Sequence, residues 1–138
     1  MTGTADPLAL LVVDAANVVG SVPDGWWRDR RGAAEKLRDR LAARAADGGP
    51  QVAPGALEPP LAGPPEVVLV VEGAARGVAP VPGVRVVSAD GSGDDGIVAE
   101  VSGRAPGRRC VVVTADRELR ERVGALGAET VGPRSLLP

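Results

Sequence analysis

The chain is punctuated by short runs that are apolar from end to end: "LALLVV" at Leu8–Val13, "VVLVV" at Val67–Val71 and "CVVV" at Cys110–Val113. A strand with one wet face alternates apolar and polar residues, so a continuous run of this kind implies a strand covered on both faces. Between the first two runs, Trp27, Ala34, Leu37, Leu41 and Ala45 fall on one stripe at helical spacing with arginines opposite. That pattern predicts an amphipathic helix over Trp27–Ala46, ended by Gly48-Gly49. A further strand is predicted at Val84–Val87 after Pro82-Gly83. A helix follows from about Asp94 to Ser102, another over Asp116–Leu126 stopped by Gly127, and a short last strand at Glu129–Val131. Strands that alternate with helices need crossover connections. The expected fold class is therefore α/β, a single-domain three-layer sandwich with a mostly parallel central sheet and Rossmann-like topology.

With 138 residues the chain has room for one sizeable core, and 44% hydrophobic residues make it globular. Residues 49–65, "GPQVAPGALEPPLAGPP", contain six prolines and no periodicity, which predicts an exposed, mobile connection rather than a second domain. No apolar run approaches the roughly 20 residues needed to span a bilayer, and "MTGTADP" lacks the basic start of a leader, so the expectation is a cytoplasmic protein without membrane contact. Cys110 is the sole cysteine and histidine is absent. Disulfides, Cys/His zinc sites and every imidazole base are thereby excluded. A formal charge of −2 leaves no overall basic footprint for nucleic acid. The glycine patterns that cradle nucleotide phosphates are missing, so no organic cofactor is expected, and Asp14-Ala15-Ala16 lacks the second aspartate of a dehalogenase-type phosphotransferase.

Chemistry must then fall to carboxylates, and their placement is distinctive. Asp14 follows "LLVV", Glu72 follows "VVLVV", Asp116 follows "CVVVTA", and Asp94-Asp95 open a predicted helix after the third strand. In a parallel sheet all of these come to one edge, the edge where open α/β sheets bind ligands. Converging carboxylates repel, and a hard divalent cation with oxygen ligands is the simplest compensation. Each acid also has a local explanation. Asp116 and either Asp94 or Asp95 suit helix caps, Asp14 and Asn17 suit a turn, and Glu72 suits a solvated strand end. Capping alone does not explain why successive strand ends share one chemistry.

Three segments, "VVDAANVVG", "SGDDGIV" and "VVVTADRELRERVGALGAETVGPRSLL", resemble the PIN-like NYN-domain proteins, in particular the YacP-like branch of predicted ribonucleases. The resemblance runs from Leu8 to Leu137 apart from the proline-rich connection. It implies one NYN/PIN-like domain over residues 1–138, with an acidic pocket that holds Mg²⁺ or Mn²⁺ for hydrolysis of RNA. By motif, Asp14 and Asn17 match the family's D-G-Y-N-like turn, Asp94 the acid opening the helix, Asp95 its acidic neighbour, and Asp116 the T-S-D-like turn. Ala15-Ala16 replace the usual Gly-Tyr pair and Ala115 replaces a serine.

The resemblance thus implies Asp14, Asp94 and Asp116 as catalytic metal ligands with Asp95 beside them, Asn17 orienting a ligand or water, and Glu72 and Ser92 supporting from behind. Thr114, Arg117, Arg76 and Trp26 are the expected substrate contacts. A bound ion of this kind lowers the pKa of a water and stabilises charge on the phosphate. From Arg28 to Arg44 seven basic residues face three acids, either a track for phosphates or a solvated helix face. Trp27 is assigned to the core stripe, and Trp26 either anchors the helix to the sheet or stacks on a base beside the pocket. The expected partner is RNA; a homodimer or a ribosome- or RNA-associated partner stays open. A module of the same fold that binds RNA or protein without cleaving is the alternative.

Overall fold

The computed structural model describes residues 8–138. The segment "MTGTADP", on which the leader reading rested, lies outside the described residues. Five strands, β1 (Leu10–Asp14), β2 (Glu66–Val71), β3 (Val84–Ser88), β4 (Cys110–Val113) and β5 (Glu129–Val131), form one sheet in the order β3-β2-β1-β4-β5, and every neighbouring pair is parallel. The helices are α1 (Ala15–Gly20), α2 (Arg30–Asp47), α3 (Gly93–Ser102) and α4 (Arg117–Gly124). The fold is a three-layer α/β arrangement, as the continuous apolar runs require.

The alternation of side chains along each strand divides the core in two. Leu11, Val13, Val67, Leu69, Val71, Val111 and Val113 face the layer of α1 and α2, where Val18, Ala34, Leu37 and Leu41 meet them. Leu10, Val12, Val68, Val70, Cys110 and Val112 point the other way, onto Ile97 and Val101 of α3 and Leu119 and Val123 of α4. Burial on both faces explains why the buried residues of β1, β2 and β4 are apolar up to their carboxyl ends, the half-buried Glu66 that opens β2 being the exception. Among the described residues no helix is long and apolar enough to cross a membrane.

Several local expectations need correction. The first strand begins at Leu10, with Leu8 exposed. The long helix starts at Arg30 rather than Trp27, because Asp29 caps it by accepting from the Gly32 backbone N–H at 2.9 Å, and Trp26–Arg28 form a separate 3₁₀ turn. Trp27 consequently leaves the core stripe and is 55% exposed. The helix does stop at Gly48, whose φ of +67° suits glycine. The proline-rich connection is not a free loop. Gln51, Val52 and Leu57 are buried, Val52 bridges Leu136, and the Gln51 carbonyl accepts from the Leu137 N–H at 2.9 Å.

Candidate metal and RNA site

Because every strand is parallel, the carboxyl ends share one edge, and the strand order reverses at β1, between β2 and β4. This is the switch point at which open α/β sheets form a crevice. Asp14 ends β1 there and is 5% exposed. Its Oδ1 accepts from the Asn17 backbone N–H at 3.4 Å, capping α1, and its Oδ2 accepts from the Thr114 hydroxyl at 2.9 Å. Thr114, buried just past β4, accepts in turn from the Asp116 N–H at 3.1 Å. One hydroxyl therefore ties the first and last of the expected ligands together. Asn17 reaches the same loop, its Oδ1 accepting from the Ala115 N–H at 2.8 Å, and its amide hydrogens have no partner among the described residues.

The other acids approach from the neighbouring elements. Asp116 caps α4 through the Leu119 N–H at 3.0 Å. Ser92, not Asp94 or Asp95, caps α3, accepting from the Asp95 N–H at 3.3 Å, so the capping explanation fails for Asp94. Asp94 lies in the first turn of α3, half-buried. Asp95 is exposed and pairs with Arg122 at 3.0 Å, joining α3 to α4. Glu72, past the end of β2, is no loose strand end: it accepts from the Gly93 N–H at 2.6 Å and anchors the start of α3.

The acids of this edge act on one another through their charges. Burial pushes the Asp14 carboxyl above the usual carboxylate range; the hydrogen bonds from Thr114 and Asn17 oppose this, and the charges of Asp94 and Glu72 add to it. Asp94 is also raised, by desolvation and then by Asp116 and Glu72, with Arg122 pulling the other way. These like charges are the environment a cation would relieve, and an all-oxygen donor set suits a hard divalent ion. As the side chains lie, no group of three or more acidic, Cys or His residues among those described stands close enough to hold a metal.

Two hollows flank this edge. One, of about 360 Å³, is bounded by Ala15, Ala16, Trp26, Arg30, Glu72 and Gly73. The other, wider, is bounded by Asn17, Ser21, Ala115, Gly132 and Arg134. Arg134 was not foreseen, since nothing in "GPRSLL" distinguishes it from other surface arginines. Arg117 and Arg76 are exposed near the edge. Arg120 donates to the Thr114 carbonyl at 2.9 Å and so serves the loop rather than a substrate. The basic helix is largely committed too: Arg31 donates to the carbonyls of Arg76 and Gly77, Arg38 to Ala79, Arg40 to Leu137, and Arg44 to Pro50 and Pro138. It is a set of clamps and not a continuous phosphate track.

No protein-family profile and no curated protein matches the chain. Among solved structures, the crystal structure of the W164L mutant of Rae1 (YacP) from Bacillus subtilis is similar in fold, with a TM-score of 0.63 at 16% identity, over 93% of this chain and 72% of that one. The chain has the fold of that protein.

Proposed function

We propose that the protein is a Mg²⁺- or Mn²⁺-dependent ribonuclease that hydrolyses RNA phosphodiester bonds at the carboxylate edge. The observation that carries this reading is Asp14, a carboxylate 5% exposed at the switch point of the sheet, facing the charges of Asp94 and Glu72. A core position filled by an acid without a basic partner is costly for folding alone. Support comes from the motif resemblance to NYN-domain ribonucleases and from the fold shared with Rae1 (YacP).

In this reading Asp14, Asp94 and Asp116 would hold the ion, with Asp95 and Glu72 beside them. Bound there, a divalent ion supplies an acidified water and neutralises charge on the phosphate. Thr114 keeps Asp14 and Asp116 in register through its two hydrogen bonds. Asn17, with its carbonyl oxygen held by Ala115, presents its free amide hydrogens to a phosphate oxygen or water. Arg117, Arg76 and Arg134 supply positive charge at the rim.

A second reading, a module that binds RNA or a protein without cleaving it, draws on the caps: one oxygen each of Asp14 and Asp116 is engaged by a helix N-terminus, and Ala15, Ala16 and Ala115 bring no hydroxyl. Metal titration decides between them. Wild type and Asp14→Asn are followed by thermal unfolding and by cleavage of a labelled single-stranded RNA in Mn²⁺. Stabilisation and cleavage in wild type alone are expected, by mass action on the native state. If neither protein responds to metal, Asp14 is a turn former and the binding module is the correct reading.

A further inference from the structure

The chain has two aromatic residues, adjacent, and no phenylalanine or tyrosine. Both lie on the short 3₁₀ turn beside the carboxylate edge, their rings in an edge-to-face pair with centroids 5.9 Å apart. Each carries an arginine: the Arg28 guanidinium lies 5.9 Å from the Trp27 ring centroid and that of Arg30 lies 5.3 Å from Trp26. Unlike the clamping arginines of α2, the guanidinium groups of Arg28 and Arg30 form no ion pair or hydrogen bond among the described residues. Trp26 and Arg30 line the 360 Å³ hollow together with Ala15 and Ala16 of α1 and with Glu72 and Gly73. That volume falls within the roughly 300–1,000 Å³ of small-molecule sites.

Resting on the RNA reading above, we infer that this hollow is a nucleobase pocket, which takes one unpaired base against Trp26 and beside Ala15 and Ala16. Three features converge on that ligand. An indole with an unpaired guanidinium over it is a platform for a base and its phosphate. The small side chains of Ala15 and Ala16 leave the depth a planar ring needs. The Glu72 carboxylate, which accepts and cannot donate, favours base edges rich in amino hydrogens over uracil, which offers mostly carbonyl oxygens. A base held in a duplex reaches none of these.

The two tryptophans make the test direct, because the fluorescence of Trp27→Phe reports Trp26 alone. In EDTA, where no cleavage interferes, this variant is titrated with oligoadenylate, oligouridylate and the duplex they form, each end-labelled so that its anisotropy reports binding independently. Saturable quenching by oligoadenylate, weaker binding of oligouridylate and none of the duplex are expected. Ala16→Leu, which fills the hollow from an exposed helix position, should weaken oligoadenylate binding about ten-fold, the order of one lost base stack, at unchanged melting temperature. Full binding by the duplex, equal binding by oligouridylate, or unaltered affinity in Ala16→Leu overturns the pocket. Binding seen by anisotropy with silent Trp26 emission removes the pocket and leaves the RNA reading intact, whereas absence of binding by both measures removes both.

Discussion

Asp14 sits where a valine would be the stable choice. Its carboxyl is raised from 3.8 chiefly by burial, so the native state holds its proton more tightly than the unfolded chain does. Stability contributed by this group is therefore greatest at acid pH and is lost as pH rises from about 3.8 through the raised value. Asp14→Asn removes that loss: in EDTA at neutral pH its melting temperature should exceed that of wild type by a few degrees, while metal no longer stabilises it. Denaturant titrations of the two proteins across the acid range should differ by a curve that grows with pH; a difference that shrinks would show that Asp14 is stabilising in its ionised form. Thr114 makes the complementary case. Thr114→Val keeps its shape but leaves Asp14 Oδ2 and the Asp116 N–H without their partner, a loss of roughly 1–3 kcal/mol by the usual cost of a buried unsatisfied group. Thr114→Ser should recover most of it, and urea unfolding of the three proteins measures the order.

At the scale of elements, α3 is the part that brings Asp94 to the edge, and a glycine sets how closely it lies on the sheet. A Cβ at Gly96 would come within 3.1 Å of the Ala89 Cβ and 3.3 Å of Val70 Cγ1, so the helix backbone rests almost directly on β2. Gly96→Val should destabilise by roughly 1–3 kcal/mol through overpacking despite the better helix propensity of valine, read as a lower urea midpoint. It should also lessen metal stabilisation, since the displaced helix carries Asp94. The sequence announced α3 and α4, the latter through Asp116, but the cap of α3 is Ser92 rather than Asp94 or Asp95, and α4 ends at Gly124, before the expected Leu126. It concealed α1, whose six residues continue the apolar character of β1, and it merged the Trp26–Arg28 turn into α2, because Trp27 fits the 3.6-residue stripe that Asp29 interrupts. The parallel sheet was legible as a class from the continuous apolar runs of β1, β2 and β4. The strand order was not, since it rests on contacts between distant segments. That order is what places Thr114 against Asp14, a link one hundred residues apart with no local signature.

For the whole molecule, the proline-rich connection is the segment whose composition says least about its role. Lack of periodicity and six prolines predict a loop without its own secondary structure, which is correct; they carry no information on where that loop goes. It is drawn onto the α2 side of the sheet, with Val52 and Leu57 entering the same core as Leu37 and Leu41, and with Leu136 from the far end of the chain packed among them. The Gln51 side chain donates to the Leu41 carbonyl at 2.9 Å, and the Ala53 N–H donates to the Ser135 carbonyl at 2.8 Å, so helix, connection and final turn close on one another. Proline suits such a segment, because it lowers the chain entropy lost when a loop without a ladder of hydrogen bonds is fixed. If this closure holds the connection in place, its resistance to proteolysis depends on a residue some eighty positions away. Leu136→Ala, at a site 5% exposed, should cost roughly 2–5 kcal/mol as a core truncation. Under native conditions it should also increase thermolysin cleavage around Leu57 and Leu61 well before the protein unfolds globally. Cleavage that rises only in step with global unfolding would mean that the connection and the sheet open as a single unit.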